Sequence, residues 1–163
     1  MIEICRVADA HALAAARALI RAHVEAHSAA HDAAATAALL VALPAPYHPP
    51  TGGLWLAWDG PDAVGCVALQ WLAPGVAEIK RMYVRPASRG RGVARALARH
   101  AIAEARALGY ERLRLGTLTS MHAAQRLYAS LGFRPVDPYR ATEFGATLFY
   151  ELDLGAPGGL TLR

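Results

Sequence analysis

The sequence has only two cysteines among its 163 residues, Cys5 and Cys66. Two cysteines make no disulfide framework in a chain of this length, and both lie in apolar, strand-like stretches, so we expect reduced core residues. They are also too few for a soft metal-ligand set, and no metal is expected. Apolar runs of the ~20 residues that a membrane span needs are absent, and so is a signal-peptide pattern. These absences predict a cytoplasmic protein with no membrane partner.

Lysine is nearly absent, because sixteen of the 17 Lys and Arg residues are arginines. The formal net charge is +4, but the placement of the charges is more informative. Residues 79–103 contain seven basic residues and no acidic one, which favours a local site for a small, multiply phosphorylated ligand. Nucleic acid is not an expected partner, since these arginines cluster on one loop and its helix without interleaved aromatic residues. The seven residues are Lys80, Arg81, Arg85, Arg89, Arg91, Arg95 and Arg99.

Hydrophobic residues make up 55% of the sequence, enough for one substantial core in a chain too short for two ordinary domains. Early strands separated by short turns suit antiparallel neighbours, and a later strand-helix-strand unit makes the sheet mixed. We therefore predict an α/β fold with a mixed, mostly antiparallel central sheet flanked by helices. The predicted helices cover 10–27, 32–43, 90–108 and 120–131, and the predicted strands cover 2–7, 54–58, 64–72, 76–84, 112–115, 133–136 and 147–154.

The most informative segment is 78–94, where a strand leads through a loop with two glycines directly into a helix. The first N–H groups of a helix have no partner within it, so a loop of this kind concentrates donors at one point and binds phosphate. Gly90 and Gly92 allow the backbone to approach an anion closely, and Arg89 and Arg91 add charged donors. By itself, a Gly-x-Gly pair equally describes an ordinary turn that starts a helix.

This segment resembles the pyrophosphate signature of the GCN5-related N-acetyltransferase (GNAT) superfamily, which reads Arg or Gln, two residues, Gly, one residue, Gly or Ala. Arg89, Gly92 and Ala94 supply these positions. A second family pattern, Ala-x-x-Leu-Tyr-x-x-x-Gly-Phe, is matched by Ala124, Leu127, Tyr128, Leu131, Gly132 and Phe133. The two matches cover 78–133. They imply a sheet splayed beside the strand 76–84, acetyl-CoA as co-substrate, and an N-acetyltransferase that acts on a primary amine of a small molecule or peptide.

The resemblance assigns the cofactor contacts to two stretches of backbone. Met82 and Val84 are expected to pair with the pantetheine arm as if it were an additional strand, and the N–H groups of 89–94 to hold the pyrophosphate. Met121 departs from the family, whose members usually carry asparagine there, and this removes one polar contact. The cofactor-binding residues predicted in this way are Met82, Tyr83, Val84, Arg89, Gly90, Arg91, Gly92, Val93 and Ala94.

The resemblance also divides the expected single domain, 1–163, into parts. The helices of 1–50 lie on the acceptor side, and 54–115 holds strands with the pyrophosphate loop and helix. The second motif helix and the last strands occupy 116–154, and the glycine-rich end, 155–163, is expected to be a flexible tail. Family habit implies a homodimer, formed through the last strand.

Acetyl transfer to an amine requires a neutral amine, a donor to the carbonyl oxygen and a proton for the leaving thiolate. We expect direct attack in a ternary complex without an acetyl-enzyme, because both cysteines lie in apolar settings. The N–H of Met82 is the candidate donor. Tyr128 is the candidate acid, since the Leu-Tyr position of the matched helix faces the cofactor sulfur in this family. The alternative interpretation of Tyr128 is a tyrosine of the core.

Glu78 is the candidate general base. It lies four residues before Met82, where similar histone acetyltransferases carry a catalytic glutamate. Equal parity along the strand places the two side chains on one face. Three alternatives stay open: Glu78 as a solvated acid at the strand end, Glu78 as the partner of a nearby arginine, and water as the base.

Three histidines, His23, His27 and His31, recur every four residues and form one stripe on a continuous helix. A zinc site is one interpretation, but a solvated or acceptor-facing surface is favoured because the expected chemistry requires no metal. In the family such helices wall the acceptor pocket. The residues expected there are His27, His31, Asp32, Tyr47, His48 and Tyr139.

The main alternative function is a non-catalytic acyl-CoA-binding regulatory module, which binds the cofactor without turnover. A dinucleotide-binding unit of the Rossmann type is disfavoured, because Arg95 stands where the third glycine belongs and the preceding strands read as hairpins. Few acids are among the expected pocket residues, so a polycationic acceptor is not specially favoured. Amino acids, small polyamines, antibiotics and protein amines all stay open as acceptors.

Overall fold

In this computed structural model the described residues, 1–27, 32–142 and 147–155, form seven β-strands and four α-helices. The predicted bounds of the first helix and the fourth strand are confirmed, and the other elements differ from the predicted ranges by at most three residues at either end. The strands are β1 Ile2–Arg6, β2 Gly53–Asp59, β3 Asp62–Ala73, β4 Val76–Val84, β5 Arg112–Leu118, β6 Arg134–Val136 and β7 Thr147–Asp153. The helices are α1 Ala10–His27, α2 Ala33–Ala42, α3 Val93–Ala107 and α4 His122–Ser130, with a 3-10 turn at Pro86–Ser88. Residues 156–163 of the expected tail lie outside the described residues.

The seven described strands form one sheet in the order β1-β2-β3-β4-β5-β7-β6. β4 and β5 are parallel and are connected through α3, whereas each other neighbouring pair is antiparallel. The predicted mixed, mostly antiparallel sheet is confirmed. β7 is paired on both sides, with β5 and with β6. β6 covers residues 149–151 of β7, and the homodimer through the last strand stays a prediction.

The helices cover both faces of the sheet because the strand side chains alternate between two cores. Along β2, Trp55 and Ala57 belong to the core that includes α3, while Leu54 and Leu56 belong to the core that includes α1. The buried residues of α1 recur at helical spacing: Ala12, Ala16, Leu19, Ile20 and Val24. Within the described ranges, no helix combines the length and the apolar character needed to cross a membrane.

β4 and β5 separate after a short parallel pairing. Residues 76–78 pair with 112–114, and no pairing continues beyond this point although β4 runs to Val84 and β5 to Leu118. On this side the backbone groups of 79–84 have no partner strand in the described chain. The splayed sheet beside this strand, which the sequence resemblance implied, is confirmed.

A β-bulge bends β4 within the stretch that does not pair with β5. Two β4 residues, Arg81 and Met82, lie opposite a single residue of β3, Val67. Arg81 has a φ of 55°, a conformation that residues other than glycine rarely adopt and that costs on the order of 1–3 kcal/mol. The bulge therefore stores strain at the point where β4 passes the opening in the sheet.

The two cysteines have different environments. Cys66 is buried as predicted, and burial raises the pKa of its thiol to about 12. The prediction for Cys5 was wrong, because its side chain is exposed. β1 is an edge strand whose Ile2 and Ile4 pack against the core, while Cys5 shares the parity of the exposed Glu3 and its thiol lies 3.6 Å from the Glu3 carboxylate. The apolar neighbours of Cys5 in sequence thus point away from it.

Candidate active site

A groove with a volume of ≈ 620 Å³ follows the open side of β4. It is bordered by the end of β4, the loop that precedes α3, the first turn of α3, and one side of α4 with the turn before it. Of the nine residues predicted to bind a cofactor, all except Arg91 line this groove: Met82, Tyr83, Val84, Arg89, Gly90, Gly92, Val93 and Ala94. The structure thus places both predicted stretches of backbone along one channel.

The loop before α3 directs backbone donors into the groove. Gly90 and Gly92 have φ values of 75° and 80°, so both adopt the left-handed conformation that glycine accepts without strain. Gly92 caps α3, and the first intrahelical bond runs from the N–H of Ala96 to the carbonyl of Gly92. The N–H groups of Val93, Ala94 and Arg95 consequently have no partner within the helix. The predicted start of this helix at residue 90 was wrong, because the two left-handed glycines delay it to Val93.

Arginines flank the groove in a pattern that differs from the expected one. Arg89 donates from Nε to the Val84 carbonyl at 3.0 Å and lines the groove. Arg91 instead bonds to the Asp59 carboxylate at 2.7 Å and does not line it. Arg95 does line the groove, with its guanidinium 3.0 Å from the Ser130 hydroxyl. The sequence signal for Arg95 was its place in the first turn of α3, on the side that faces α4.

A second cavity of ≈ 110 Å³, called the inner cavity here, adjoins the groove. It is lined by α1, the bulged part of β4, the end of β5, and Arg140. Four residues line both spaces and form the junction between them: His27, Met82, Met121 and Tyr128. A long ligand in the groove and a small one in the inner cavity would therefore meet at the junction.

Tyr128 is buried at the junction. Its side chain is 4% exposed and its ring packs edge-on against Phe133, with centroids 5.6 Å apart. Burial raises the pKa of the phenol, which keeps it protonated at neutral pH. The hydroxyl has no hydrogen-bond partner among the described residues. It is thus positioned to donate to a ligand atom at the junction.

Glu78 is the centre of a buried polar cluster behind the inner cavity. Its side chain is 1% exposed, and its Oε2 accepts from the Tyr139 hydroxyl at 2.5 Å and from Arg140 Nε at 2.8 Å. Lys80 Nζ lies 3.8 Å from Oε1, which also accepts from Gln70. Burial and then the bond to Glu78 raise the pKa of Tyr139. These contacts favour the interpretation of Glu78 as an arginine partner, and its role as a base stays a prediction.

The expected acceptor-pocket residues occupy different places. His27 lines the junction, and Tyr47 is buried with its hydroxyl 3.0 Å from Arg81 Nε. Asp32 and His48 are exposed and line neither space; Asp32 caps α2 instead. His31 lies outside the described residues. Sequence reasoning did not assign Lys80, Arg81 or Arg140 to this pocket, because their positions depend on the bulge in β4 and on contacts that are distant in sequence.

The two described histidines of the stripe lie at the inner cavity. His27 Nδ1 is 2.9 Å from the carbonyl oxygen of His23. A carbonyl only accepts, so Nδ1 carries the proton and Nε2 of the neutral ring is left with a lone pair. His23 Nδ1 is buried with no hydrogen-bond partner in the described chain. No group of three His, Cys, Asp or Glu residues close enough to hold a metal occurs within the described ranges.

The sequence profile of the acetyltransferase (GNAT) family matches residues 16–133, and the chain belongs to this family. An uncharacterized N-acetyltransferase of Schizosaccharomyces pombe is 37% identical over 110 residues, which cover 66% of this chain and 68% of the yeast protein. The uncharacterized N-acetyltransferase YsnE of Bacillus subtilis is 40% identical over 87 residues, covering 52% of this chain and 58% of YsnE. The N-acetylaspartate synthetase of Danio rerio is 41% identical over 92 residues, covering 55% of this chain and 33% of the fish protein. The chain thus spans about one third to two thirds of the length of these relatives.

Solved structures share the fold over nearly all of the chain. A GNAT-family acetyltransferase from Staphylococcus aureus superposes with a TM-score of 0.79 at 20% identity, covering 94% of this chain and 99% of its own. The protein yncA of Salmonella typhimurium, solved with its cofactor acetyl-CoA, superposes with a TM-score of 0.68 at 24% identity, covering 97% of this chain and 98% of its own. At these identities the likeness establishes the fold.

Burial of His23 makes the stability of the protein dependent on pH. Burial, followed by the charges of His27, Arg81 and Lys80, lowers the pKa of His23 from 6.5 to about 3. In the unfolded chain His23 binds a proton near pH 6.5, whereas in the folded chain it stays neutral down to about pH 3. The free energy of unfolding therefore falls as the pH drops below 6.5. At ~1.4 kcal/mol per pH unit, His23 accounts for a loss of about 2 kcal/mol between pH 6.5 and pH 5.

We expect His23→Gln to lack this loss, so that the free energy of unfolding of the variant depends less on pH than that of the wild type. Urea denaturation at pH 6.5 and pH 5 measures the difference. The matched control is His48→Gln, which removes an exposed histidine and is expected to keep the wild-type pH dependence. Equal pH dependence of His23→Gln and wild type would contradict the neutral burial of His23.

Proposed function

We propose that this protein transfers the acetyl group of acetyl-CoA to a primary amine by direct attack in a ternary complex. The observation that carries the proposal is the junction, where a groove suited to a long ligand meets a small cavity beside Tyr128 and the bulge of β4. Membership of the acetyltransferase family and the names of the N-acetyltransferase relatives support it. A cytoplasmic location and a homodimer stay predictions.

The residues of the groove fit coenzyme A. Pantetheine carries amide groups, and the unpaired stretch of β4 at Met82, Tyr83 and Val84 offers the backbone groups with which an amide chain can pair. At Gly90 and Gly92 an added Cβ would meet no atom within 4 Å, so the backbone there is open to a ligand. The N–H groups of Gly90, Arg91, Gly92, Val93 and Ala94 would hold the pyrophosphate. Arg89 would contribute its side chain, because its N–H already donates to the Pro86 carbonyl at 3.3 Å.

Bound acetyl-CoA would supply a thioester whose carbonyl carbon forms a bond to the amine nitrogen as the carbon–sulfur bond breaks. The bulge leaves Met82 outside regular pairing, and its N–H is our candidate donor to the carbonyl oxygen. Tyr128 would give its proton to the departing sulfur. One proton of the amine must pass to a base, and the phenol is restored from solvent after the products leave.

Two residues are candidates for that base. Glu78 is the one that the family resemblance implies, but it is buried behind the inner cavity and already bonded to Tyr139 and Arg140. His27 lies at the junction with its Nδ1 proton fixed on the His23 carbonyl, which leaves Nε2 as an acceptor. The geometry therefore supports His27 as the base and Glu78 as the residue that holds Arg140 and Tyr139 in place.

A non-catalytic acyl-CoA-binding module is the competing function. Such a module needs the groove alone, whereas this chain also has the inner cavity and, where the two spaces meet, a tyrosine hydroxyl with no hydrogen-bond partner among the described residues. Release of free thiol from acetyl-CoA in the presence of a panel of amines distinguishes the two functions. The name of the N-acetylaspartate synthetases adds aspartate to that panel. Coenzyme A binding with no turnover of any amine would favour the module.

Coenzyme A binding is expected to depend on Gly92. Gly92→Leu puts a bulky side chain where the loop faces the groove, and we expect it to weaken coenzyme A binding at least ~10-fold, or ~1.4 kcal/mol, in titration calorimetry. Gly109→Leu is the matched control. Gly109 has a φ of 84° and equally open surroundings, but it lies beyond the opposite end of α3. The two variants share the same backbone strain, so equal affinities would contradict the assigned phosphate site.

Tyr128→Phe removes the proposed acid and keeps the packing of the ring. We expect kcat to fall at least ~10-fold, because the thiolate must then take its proton from water, with little change in the affinity for coenzyme A. The control is Tyr150→Phe, which alters another buried tyrosine of the same core that lines neither space. An unchanged kcat in Tyr128→Phe across the pH range would remove Tyr128 from the mechanism.

The two candidate bases are separated by a pair of variants. We expect His27→Gln to lower kcat/KM about 100-fold at neutral pH and to flatten the acid limb of its pH profile, while the fold stays stable. Glu78→Gln should instead lower the free energy of unfolding by about 3 kcal/mol, because Arg140 and Lys80 lose their buried carboxylate. A stable Glu78→Gln protein with a flattened pH profile would restore Glu78 as the base.

A further inference from the structure

Three cationic side chains, Lys80, Arg81 and Arg140, line the inner cavity and are called the basic wall here. No acidic residue of the described ranges lines the same cavity. The carboxylate of Glu78 does not line the cavity but contacts the basic wall, with Oε2 2.8 Å from Arg140 Nε and Oε1 3.8 Å from Lys80 Nζ. Three cationic side chains thus line a small space to which the described residues contribute no acidic side chain.

Arg81 is the member of the basic wall for which the described chain supplies no carboxylate. Its Nε donates to the neutral hydroxyl of Tyr47, and no ion pair joins it to a described acid. A partly buried cation without a counter-charge is unfavourable, so a site of this kind stabilises an anion that enters it. The strained φ of 55° shows that the fold holds this residue in place against a local conformational cost.

The charges of the basic wall also act on a neighbouring side chain of the inner cavity. His23 lines the same cavity, and after burial and His27 the charges of Arg81 and Lys80 contribute to the lowering of its pKa to about 3. His23 Nδ1 is buried without a hydrogen-bond partner in the described chain. The neutral ring therefore adds an unsatisfied polar atom to a cavity that already disfavours positive charge.

We propose that the acceptor is a small amine that carries a carboxylate, held by the basic wall with its amino group directed to the junction. This inference rests on the proposed function, because it names the substrate class of the same site. The basic wall contacts the carboxylate, and the amine reaches the Tyr128 end of the cavity where the groove begins. Polyamines and other polycationic amines are disfavoured by repulsion from Lys80, Arg81 and Arg140.

The test compares amino acids with their amides as acceptors. Glycine, L-alanine and L-aspartate are each paired with the corresponding amide, in which every carboxylate is a carboxamide, and thiol release from acetyl-CoA is measured at low salt. Removing the carboxylate lowers the pKa of the neighbouring amine and so favours the amide if charge recognition plays no part. We expect kcat/KM to be at least ~10-fold higher for at least one amino acid than for its amide, and spermidine to be a poor acceptor.

The variant Arg81→Gln tests the basic wall itself. Glutamine keeps a side chain at the same strained position but removes the charge, and we expect it to abolish most of the preference for the carboxylate by raising KM more than it lowers kcat. Arg99→Gln is the control, since Arg99 is exposed on α3 and forms no ion pair or hydrogen bond with a described residue. It should keep the wild-type preference.

The outcomes separate this inference from the proposed function. Amides or spermidine acetylated as efficiently as the amino acids would overturn the inference and leave the acetyltransferase function intact. A carboxylate preference that survives in Arg81→Gln would also overturn it. Coenzyme A binding without acetylation of any amine in the panel would instead contradict the proposed function.

Discussion

The separation of β4 from β5 is the constraint on which the site depends. Parallel pairing stops after residue 78, yet both strands continue, so the backbone groups along 79–84 face an opening instead of a neighbouring strand. Backbone N–H and C=O groups require partners, and an opening of this kind favours a ligand that can hydrogen-bond as a strand does. The glycine loop follows β4 directly and brings its N–H groups to the same opening. One interruption in the sheet thus creates both contacts that the groove offers.

The inner cavity also lies where β4 and β5 separate, but its lining depends on the β-bulge in β4. The bulge at Arg81 and Met82 shifts the register of β4 against β3, which brings Arg81 to the cavity and Met82 to the junction. Glu78 lies just before the bulge, where β4 is still paired, and its buried carboxylate holds Arg140 and Tyr139 from the loop after β6. Removing that carboxylate would take away the buried acceptor of the Arg140 and Tyr139 bonds, so the wall of the cavity is coupled to the last β4 residue that pairs with β5.

Local signals made much of this fold predictable, and contacts distant in sequence limited the rest. The period of 3.6 in α1 and the turn residues on both sides of β4 define these elements within the sequence itself. The glycine loop was predictable because Gly90 and Gly92 adopt positive φ values that other residues rarely accept. By contrast, the bond between Arg91 and Asp59 and the cluster of Glu78 with Arg140 join residues that are 32 and 62 positions apart. Spacing and parity carry no information on such pairs. The prediction that Cys5 is buried was wrong because its place on an edge strand, and not its apolar neighbours in sequence, determines its exposure.

The spacing of the histidines in α1 was interpreted correctly as one helix face, but the same spacing is compatible with more than one role for that face. Spacing of four residues places His23 and His27 on one face of α1, and both rings contact Tyr83 of β4, with centroids 5.7 and 6.4 Å apart. That face lies beside the opening in the sheet, and His23 and His27 both line the inner cavity. A pair of this kind can bind a metal only if both rings present lone pairs to one point. Here the His27 Nδ1 proton is directed to the His23 carbonyl and three cationic side chains line the same cavity, so His23 and His27 contribute polar rings to a positively charged cavity.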